Sequence, residues 1–192
     1  MTLAVRAFLR DNGTWGYNNL QWYGGTYYHK FDDRWHLSFE SYTLSQDNVP
    51  NARNAAVQTI VASGGTPFSP QNGFQFNAPN LAQCSDPNAL KCTARVYVAM
   101  GYLNYRATDL DNISFRGEFY HDREGQRTGT ASRYVDVALG WQHWFGPQVY
   151  MRPELAYYKA LDAMAFNGTG ANGTPPNKSY AVIGAVDLIW KF

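Results

Sequence analysis

The stretch that decides the fold is the last one, Tyr180-Ala-Val-Ile-Gly-Ala-Val-Asp-Leu-Ile-Trp-Lys-Phe192. Every second residue counted back from Phe192 is apolar or glycine, with aromatic rings at both ends, whereas the intervening set includes Asp187 and Lys191. Successive side chains on a strand point to opposite faces, so the pattern predicts a strand with one apolar face and one mixed face. A soluble strand buries its apolar face in a protein core. A strand of a transmembrane barrel turns that face to lipid and places aromatic rings at the two interfaces.

The composition favours β structure and argues against two classes of protein. The chain has 192 residues and a formal net charge of +1, and aromatic residues make up 16% of it. Nearly equal numbers of basic and acidic residues argue against an electrostatic nucleic-acid binder. No run approaches the roughly 18 apolar residues of a transmembrane helix, so any membrane crossing must use strands. Residues 1–10 alternate like a strand and lack the features of a signal peptide, so we expect the C-terminal part of a longer chain.

Alternating runs and the loops between them follow a regular order. The runs fall at 3–10, 20–31, 34–45, 95–107, 112–122, 133–145, 148–160 and 180–192. Tight connections alternate with the long polar segments 11–19, 46–94, 123–132 and 161–179. Short turns at one end and long loops at the other are typical of an up-and-down transmembrane barrel. The sequence therefore predicts an all-β, antiparallel up-and-down transmembrane β-barrel of about eight strands, with 1–192 as one domain and part of a larger barrel. Its edges at 3–10 and 180–192 are predicted to be unpaired.

Charged residues gather on the face opposite the apolar one. These candidate pore-lining residues are Glu40, Arg116, Glu118, Asp136, Arg152, Glu154 and Asp187. One interpretation is that they pair across neighbouring strands and stabilise the wall. The other is that they create a transverse field that selects small polar or charged solutes. With Arg6 and Arg106 on the same face, the near balance of signs predicts weak ion selectivity.

Cys84 and Cys92 are the only cysteines, and both lie in the predicted loop 46–94. Two cysteines without a nearby histidine make a poor metal site, and a disulfide is the expected state in an oxidising compartment. The loop is expected either to fold into the lumen as a constriction stiffened by this bridge or to cap the barrel outside. The sequence leaves both open.

Two further motifs have weak chemical interpretations. Residues 168–173 have the glycine spacing of a dinucleotide fingerprint, but two prolines follow where that motif needs a helix. Ser114, His121 and Asp122 could suggest an outer-membrane hydrolase, but Ser114 and His121 fall on opposite strand faces by parity. We therefore predict no metal, no cofactor and no enzymatic reaction.

Four segments carry a family resemblance, namely 113–129, 139–145, 150–155 and 185–192. They resemble the OmpL-like β-barrel porin family of Gram-negative outer membranes, in a resemblance that covers 95–192 well and 20–45 loosely. The resemblance implies an outer-membrane location and a longer parent chain. Trp190 and Phe192 resemble the C-terminal signal by which such barrels are recognised for assembly, although Asp187 stands where that signal usually has glycine. It thus implies membrane lipid and the barrel-assembly machinery as partners.

These observations predict a porin that allows passive diffusion of small hydrophilic solutes, with no nucleic-acid partner and with oligomerisation left open. One alternative is a soluble secreted β-barrel or sandwich that binds a ligand, which would need the apolar faces to meet in a core. Another is an outer-membrane barrel enzyme or adhesin, which would need a convergent catalytic triad or a folded outer-loop platform.

Overall fold

The computed structural model describes residues 2–9, 20–62, 81–168 and 175–192. Eight strands form one antiparallel sheet in which each strand pairs with the next along the chain, from first to last. They are β1 Thr2–Leu9, β2 Leu20–Lys30, β3 Trp35–Pro50, β4 Lys91–Arg106, β5 Asp111–Asp122, β6 Ser132–Trp144, β7 Val149–Ala160 and β8 Tyr180–Trp190. A single described helix, α1 Ala55–Ala62, lies between β3 and β4. The predicted all-β, up-and-down architecture is confirmed. The sheet is not closed among the described strands, where β1 and β8 are the edges.

The loop predicted at 46–94 is shorter than expected, because residues 46–50 belong to β3 and residues 91–94 to β4. The register between these strands shifts between Gln46 and Val49, and Asn48 between them has a positive φ of 57°. A bulge of this kind inserts a residue and reverses the alternation, which hid the end of the strand in the sequence. The other strand ends lie within two residues of the predicted ones, and several coincide with them. Within the loop, the structure describes 51–62 and 81–90.

Pro153 lies inside β7, where a missing N–H would normally weaken a strand. Pairing with β8 is continuous and places Pro153 opposite Val186. Pairing with β6 is interrupted between the pairs Gly140–Glu154 and His143–Met151. The ladder therefore breaks on one side only, and the strand predicted there is present.

The register separates an apolar face from a polar face. In the middle of the sheet Phe115, Leu139 and Leu155 stand side by side on β5, β6 and β7. Leu139 is 58% exposed and Leu188 is 69% exposed, whereas Asp136 on the opposite face is only 7% exposed. A soluble sheet shows the reverse distribution, with large apolar side chains inside. The apolar face is therefore suited to hydrocarbon rather than to water.

Aromatic rings border this apolar face. Trp35 and Tyr105 pack at 4.5 Å between ring centroids near the end with tight turns, and Tyr157 and Tyr180 pack at 6.1 Å near the other end. On β8, Tyr180 and Trp190 are the first and last residues. With a rise of about 3.3 Å per residue and a tilt of about 40°, the segment between these rings projects to about 25 Å, the height of the lipid-facing band of an outer-membrane barrel.

No helix in the described ranges is both long enough and apolar enough to cross a membrane.

Candidate functional site

All the candidate pore-lining residues lie on the polar face of the sheet. The pairing register gives the same parity to Glu40 on β3, Arg116 and Glu118 on β5, Asp136 on β6, Arg152 and Glu154 on β7, and Asp187 on β8. Their placement on one face follows from period-two alternation along strands that keep their register. The site is therefore a charged surface formed by five strands.

Arg116 is the centre of this surface. Its Nη2 donates to Asp136 Oδ2 at 3.1 Å and to the Tyr158 hydroxyl at 3.1 Å. The same nitrogen lies 3.6 Å from Glu154 Oε1. The Arg116 side chain is 16% exposed, so the ion pair with Asp136 is largely removed from bulk water. One guanidinium group thus links three strands.

Small residues allow Arg116 to reach across β6. Ala138 stands directly opposite Arg116, and Ala156 stands opposite Ala138 on β7. Both alanines are almost completely buried. A larger side chain at either position would occupy the space that the guanidinium group crosses to reach β7, because residues in direct cross-strand register have side chains about 5 Å apart.

Arg152 and Asp187 form a second pair on the polar face, directly opposite each other on β7 and β8. The contact is bidentate, with Nε to Oδ1 at 3.0 Å and Nη2 to Oδ2 at 2.5 Å. About half of each side chain is exposed. Such an exposed pair contributes little to stability, and its geometry fixes where the two charges stand.

Glu118 and Asp136 are direct cross-strand neighbours with the same charge. Like charges in this relation destabilise a sheet. Within the described part of the chain, Glu118 makes no ion pair, and Asp136 Oδ1 is buried without a hydrogen-bond partner. Arg116 therefore compensates only one side of this pair of carboxylates.

The remaining charged residues of the predicted set contribute less to this cluster. Arg106 pairs at 3.0 Å with Asp109 in the turn after β4, away from the cluster. Glu40 makes no ion pair with any described residue. The side chain of Arg6 lies outside the described residues.

The loop between β5 and β6 folds back over the polar face. Asp122 Oδ2 accepts hydrogen bonds from the backbone N–H groups of Arg127 at 2.8 Å and Thr128 at 2.7 Å. Gly125 has a positive φ of 68°, which glycine adopts without strain. The loop places Gln126 Nε2 2.6 Å from Gln46 Oε1, on the polar face two strands away. These polar contacts hold the loop above the charged surface.

The described part of the β3–β4 loop is fastened to the same region. Cys84 and Cys92 form a disulfide. The fully buried Asn51 donates from Nδ2 to the carbonyl oxygens of Asp86 at 2.9 Å and Ala89 at 2.8 Å. The backbone N–H of Gln83 donates to the Glu124 carbonyl at 2.6 Å, which links the two outer loops.

The segment after β7 lies over the polar face together with the two outer loops. Asp162 accepts hydrogen bonds from the Arg133 guanidinium group, at 2.6 Å for the shortest, and from the Arg133 backbone N–H at 2.8 Å. The hydrogen bonds with the Arg133 side chain lower the pKa of Asp162 to about 2, so the carboxylate stays ionised at neutral pH. Phe166 then packs edge-on against Tyr134 of the polar face, with 6.3 Å between ring centroids.

Two cavities formed by described residues open on the polar face. One of about 500 Å³ lies beside the Arg152–Asp187 pair and is also lined by Asn104, Ser114 and Gln142. The other, of about 290 Å³, is lined by Arg116, Glu118 and Asp136 and by the rings of Tyr120, Tyr134, Tyr158 and Phe166. Sequence reasoning did not single out these rings. The sequence feature that could have identified them is alternation, because Tyr120, Tyr134 and Tyr158 fall on the same strand face as the charged residues.

The alternative chemical sites are not assembled among the described residues. Ser114 and His121 are seven positions apart on the uninterrupted strand β5, so their side chains lie on opposite faces. No described group of three histidine, cysteine or carboxylate residues could hold a metal ion. Of the predicted glycine-rich motif at 168–173, residues 169–173 lie outside the described residues.

Trp190 and Phe192 lie at the end of β8, and both are exposed. Trp190 stands opposite Val149 on the apolar face, whereas Asp187 faces the polar side and pairs with Arg152. Asp187, the residue that differs from the assembly-signal pattern, therefore lies on the polar face.

No curated protein and no solved structure matches the chain. One family model, described as "Putative beta-barrel porin-2, OmpL-like", matches residues 3–192. The match covers every strand except the first residue of β1, and the strand order, loop alternation and separated faces agree with a porin-like barrel. The chain belongs to this family of OmpL-like β-barrel porins.

Proposed function

We propose that the protein is an outer-membrane porin through which small hydrophilic solutes diffuse passively. The observation that carries the proposal is the distribution of the two faces, with exposed Leu139 on one side and the half-covered charged surface around Arg116 on the other. An outward apolar face suits lipid, and an inward charged face suits a water-filled lumen.

Membrane lipid and the barrel-assembly machinery are the partners that this proposal requires. A strand edge within hydrocarbon must have its backbone groups hydrogen-bonded, because lipid offers neither donors nor acceptors. β1 and β8 each pair on one side among the described strands. Closure of the barrel would supply the missing hydrogen bonds at both edges.

The alternatives have less support. A soluble ligand-binding barrel or sandwich would leave side chains such as Phe115, Leu155 and Val186 in water, in a contiguous band far larger than single scattered apolar residues. An enzyme would need a nucleophile and a base in contact. Ser114 and His121 do not meet this requirement on β5. An adhesin would need a surface of the outer loops that remains free of the lumen, whereas the described loop contacts lead towards the polar face.

The charges of the lumen favour cations over anions. The predicted pore-lining set contains five carboxylates and two arginines, a formal balance of −3. Both arginines are engaged, Arg116 with Asp136 and Arg152 with Asp187. The sequence alone predicted weak selectivity because Arg6 and Arg106 were also counted in the lumen. Arg106 pairs with Asp109 in a turn instead, which leaves a formal balance of −2 when Arg6 is included. We therefore expect a moderate cation preference.

Planar-bilayer recording of the detergent-extracted, refolded protein tests the proposal. Discrete ohmic conductance steps in KCl are expected, together with liposome swelling in small sugars that declines as solute size increases. A protein that inserts and is heat-modifiable on gels, yet gives no conductance and no swelling, would contradict the porin assignment. A protein that stays folded and monodisperse without detergent would support the soluble alternative.

A further inference from the structure

The smaller cavity on the polar face has an unusual arrangement of charge. Glu118 and Asp136 stand opposite each other in the register, and the Asp136 side chain is 6% exposed. Arg116 binds Asp136 Oδ2, while Oδ1 is buried and has no hydrogen-bond partner among the described residues. Both acids line the cavity. Two carboxylates therefore face a space that holds one already engaged guanidinium group.

The walls of the same cavity are aromatic. Tyr120, Tyr134, Tyr158 and Phe166 line it, and Tyr120 and Tyr134 lie 6.4 Å apart between ring centroids. Aromatic faces attract cations, and cages of several rings are the usual recognition device for alkylated ammonium groups. The volume of about 290 Å³ suits a compact ligand.

The charge and the walls together select one class of ligand. A free anion would meet two carboxylates and an arginine that is already paired. A hard metal ion requires several oxygen or nitrogen ligands around it, and no described group of side chains offers such a set. A neutral polyol would leave the carboxylate pair uncompensated. A small organic cation compensates the carboxylates and contacts the rings at the same time.

We propose that this cavity, between Glu118, Asp136 and the four rings, binds small alkylated ammonium ions within the pore. The inference rests on the proposed function in one respect, because the ligand reaches the cavity through the lumen. Bound there, the ammonium group lies against the Glu118 carboxylate, the neighbouring Asp136 adds negative charge to the wall, and the alkyl groups pack on Tyr134 and Phe166. The covering segment around Phe166 closes one side of the cavity.

Isothermal titration of the folded protein in micelles tests this with choline and its neutral isostere 3,3-dimethylbutan-1-ol. Choline is expected to bind at least about tenfold more tightly, because the two molecules differ in charge and hardly in shape. Glu118→Gln should weaken choline binding by about tenfold, and Phe166→Leu by about threefold to tenfold. Asp33→Asn, which removes an exposed carboxylate in the tight turn after β2 that does not line the cavity, should leave the affinity unchanged.

Equal binding of both probes, an unchanged affinity in Glu118→Gln, or no choline binding by folded protein would overturn the proposal. Heat-modifiability on gels verifies the fold of each variant, and Phe166→Leu provides a second route should Glu118→Gln fold poorly. Conductance is recorded on the same preparations. Channels without choline binding refute the ammonium site alone, whereas choline binding without channels refutes the porin function alone.

Discussion

Replacing Leu139 by arginine separates a lipid-facing sheet from a solvent-facing one. Leu139 is 58% exposed, lies near the centre of the 13-residue strand β6, and stands between Phe115 and Leu155. In water, a substitution at so exposed a site changes the free energy of unfolding by about 0.5 kcal/mol or less. At the centre of a bilayer, an outward-facing arginine costs about 2–4 kcal/mol. That range corresponds to a factor of about 30 to 1,000 in the folding equilibrium.

Leu90→Arg is the matched control. Leu90 is 59% exposed, almost the same as Leu139, but it lies in the outer loop just before β4. Its backbone carbonyl accepts a hydrogen bond from Asn51, which the substitution leaves in place. We expect a change within about 0.5 kcal/mol for this variant.

The assay is equilibrium folding into lipid vesicles over a guanidinium titration, with tryptophan fluorescence and heat-modifiability as readouts. A loss of at least about 2 kcal/mol for Leu139→Arg, with Leu90→Arg unchanged, is expected. Equal and small changes in both variants would refute the assignment of the apolar face to lipid. A large loss in the Leu90 variant would instead show that exposure in this chain does not report the environment of the side chain.

Three further predictions concern the lumen. Arg116→Met leaves Asp136 buried without its partner and should destabilise the folded state by about 3 kcal/mol in a guanidinium titration, with Asp136→Asn in the same chain restoring most of the loss. A cost below about 0.5 kcal/mol would mean that the pair is not structural. Reversal potentials in a KCl gradient should show a moderate preference for K⁺, and anion preference would contradict the net charge inferred for the lumen. Gly125→Ala would place its Cβ 2.5 Å from the Ala131 backbone nitrogen, so the β5–β6 loop should lose its fold over the lumen and single-channel conductance should rise. Gly146→Ala, where nothing lies within 4 Å of the added Cβ, is the control and should conduct like the unmodified protein.

The faces of the strands could be predicted from the sequence because alternation is a local property. On β5 and β8, apolar and polar residues alternate without interruption. This alternation alone placed Phe115 on the apolar face and Asp187 on the polar face. The same argument separated Ser114 from His121. The outer end of β3 was missed because the bulge at Asn48 reverses the parity. In a single sequence, a reversal of the alternation looks like an irregular loop.

The contacts within the site could not be predicted in the same way. Which acid pairs with Arg116 depends on the register between strands and on the small Ala138 that lets the side chain cross β6. The aromatic cavity depends on a loop that folds back through Gly125 and on the segment after β7 that contains Phe166. These arrangements are set by tertiary structure. The sequence gives only the residue types and the parity of Tyr134 and its neighbours.

The central claim is that the apolar face of the sheet meets hydrocarbon while the polar face meets water. Spin labels on single cysteines introduced at consecutive positions 182–186 of β8, which are exposed on both faces, test this in vesicles, since the native cysteines are joined in a disulfide. Accessibility to oxygen, which concentrates in lipid, should peak at 182, 184 and 186. Accessibility to a water-soluble nickel chelate should be higher at 183 and 185. Labels at 182 and 186 that are reached by the chelate, or shielded from both reagents, would contradict the account.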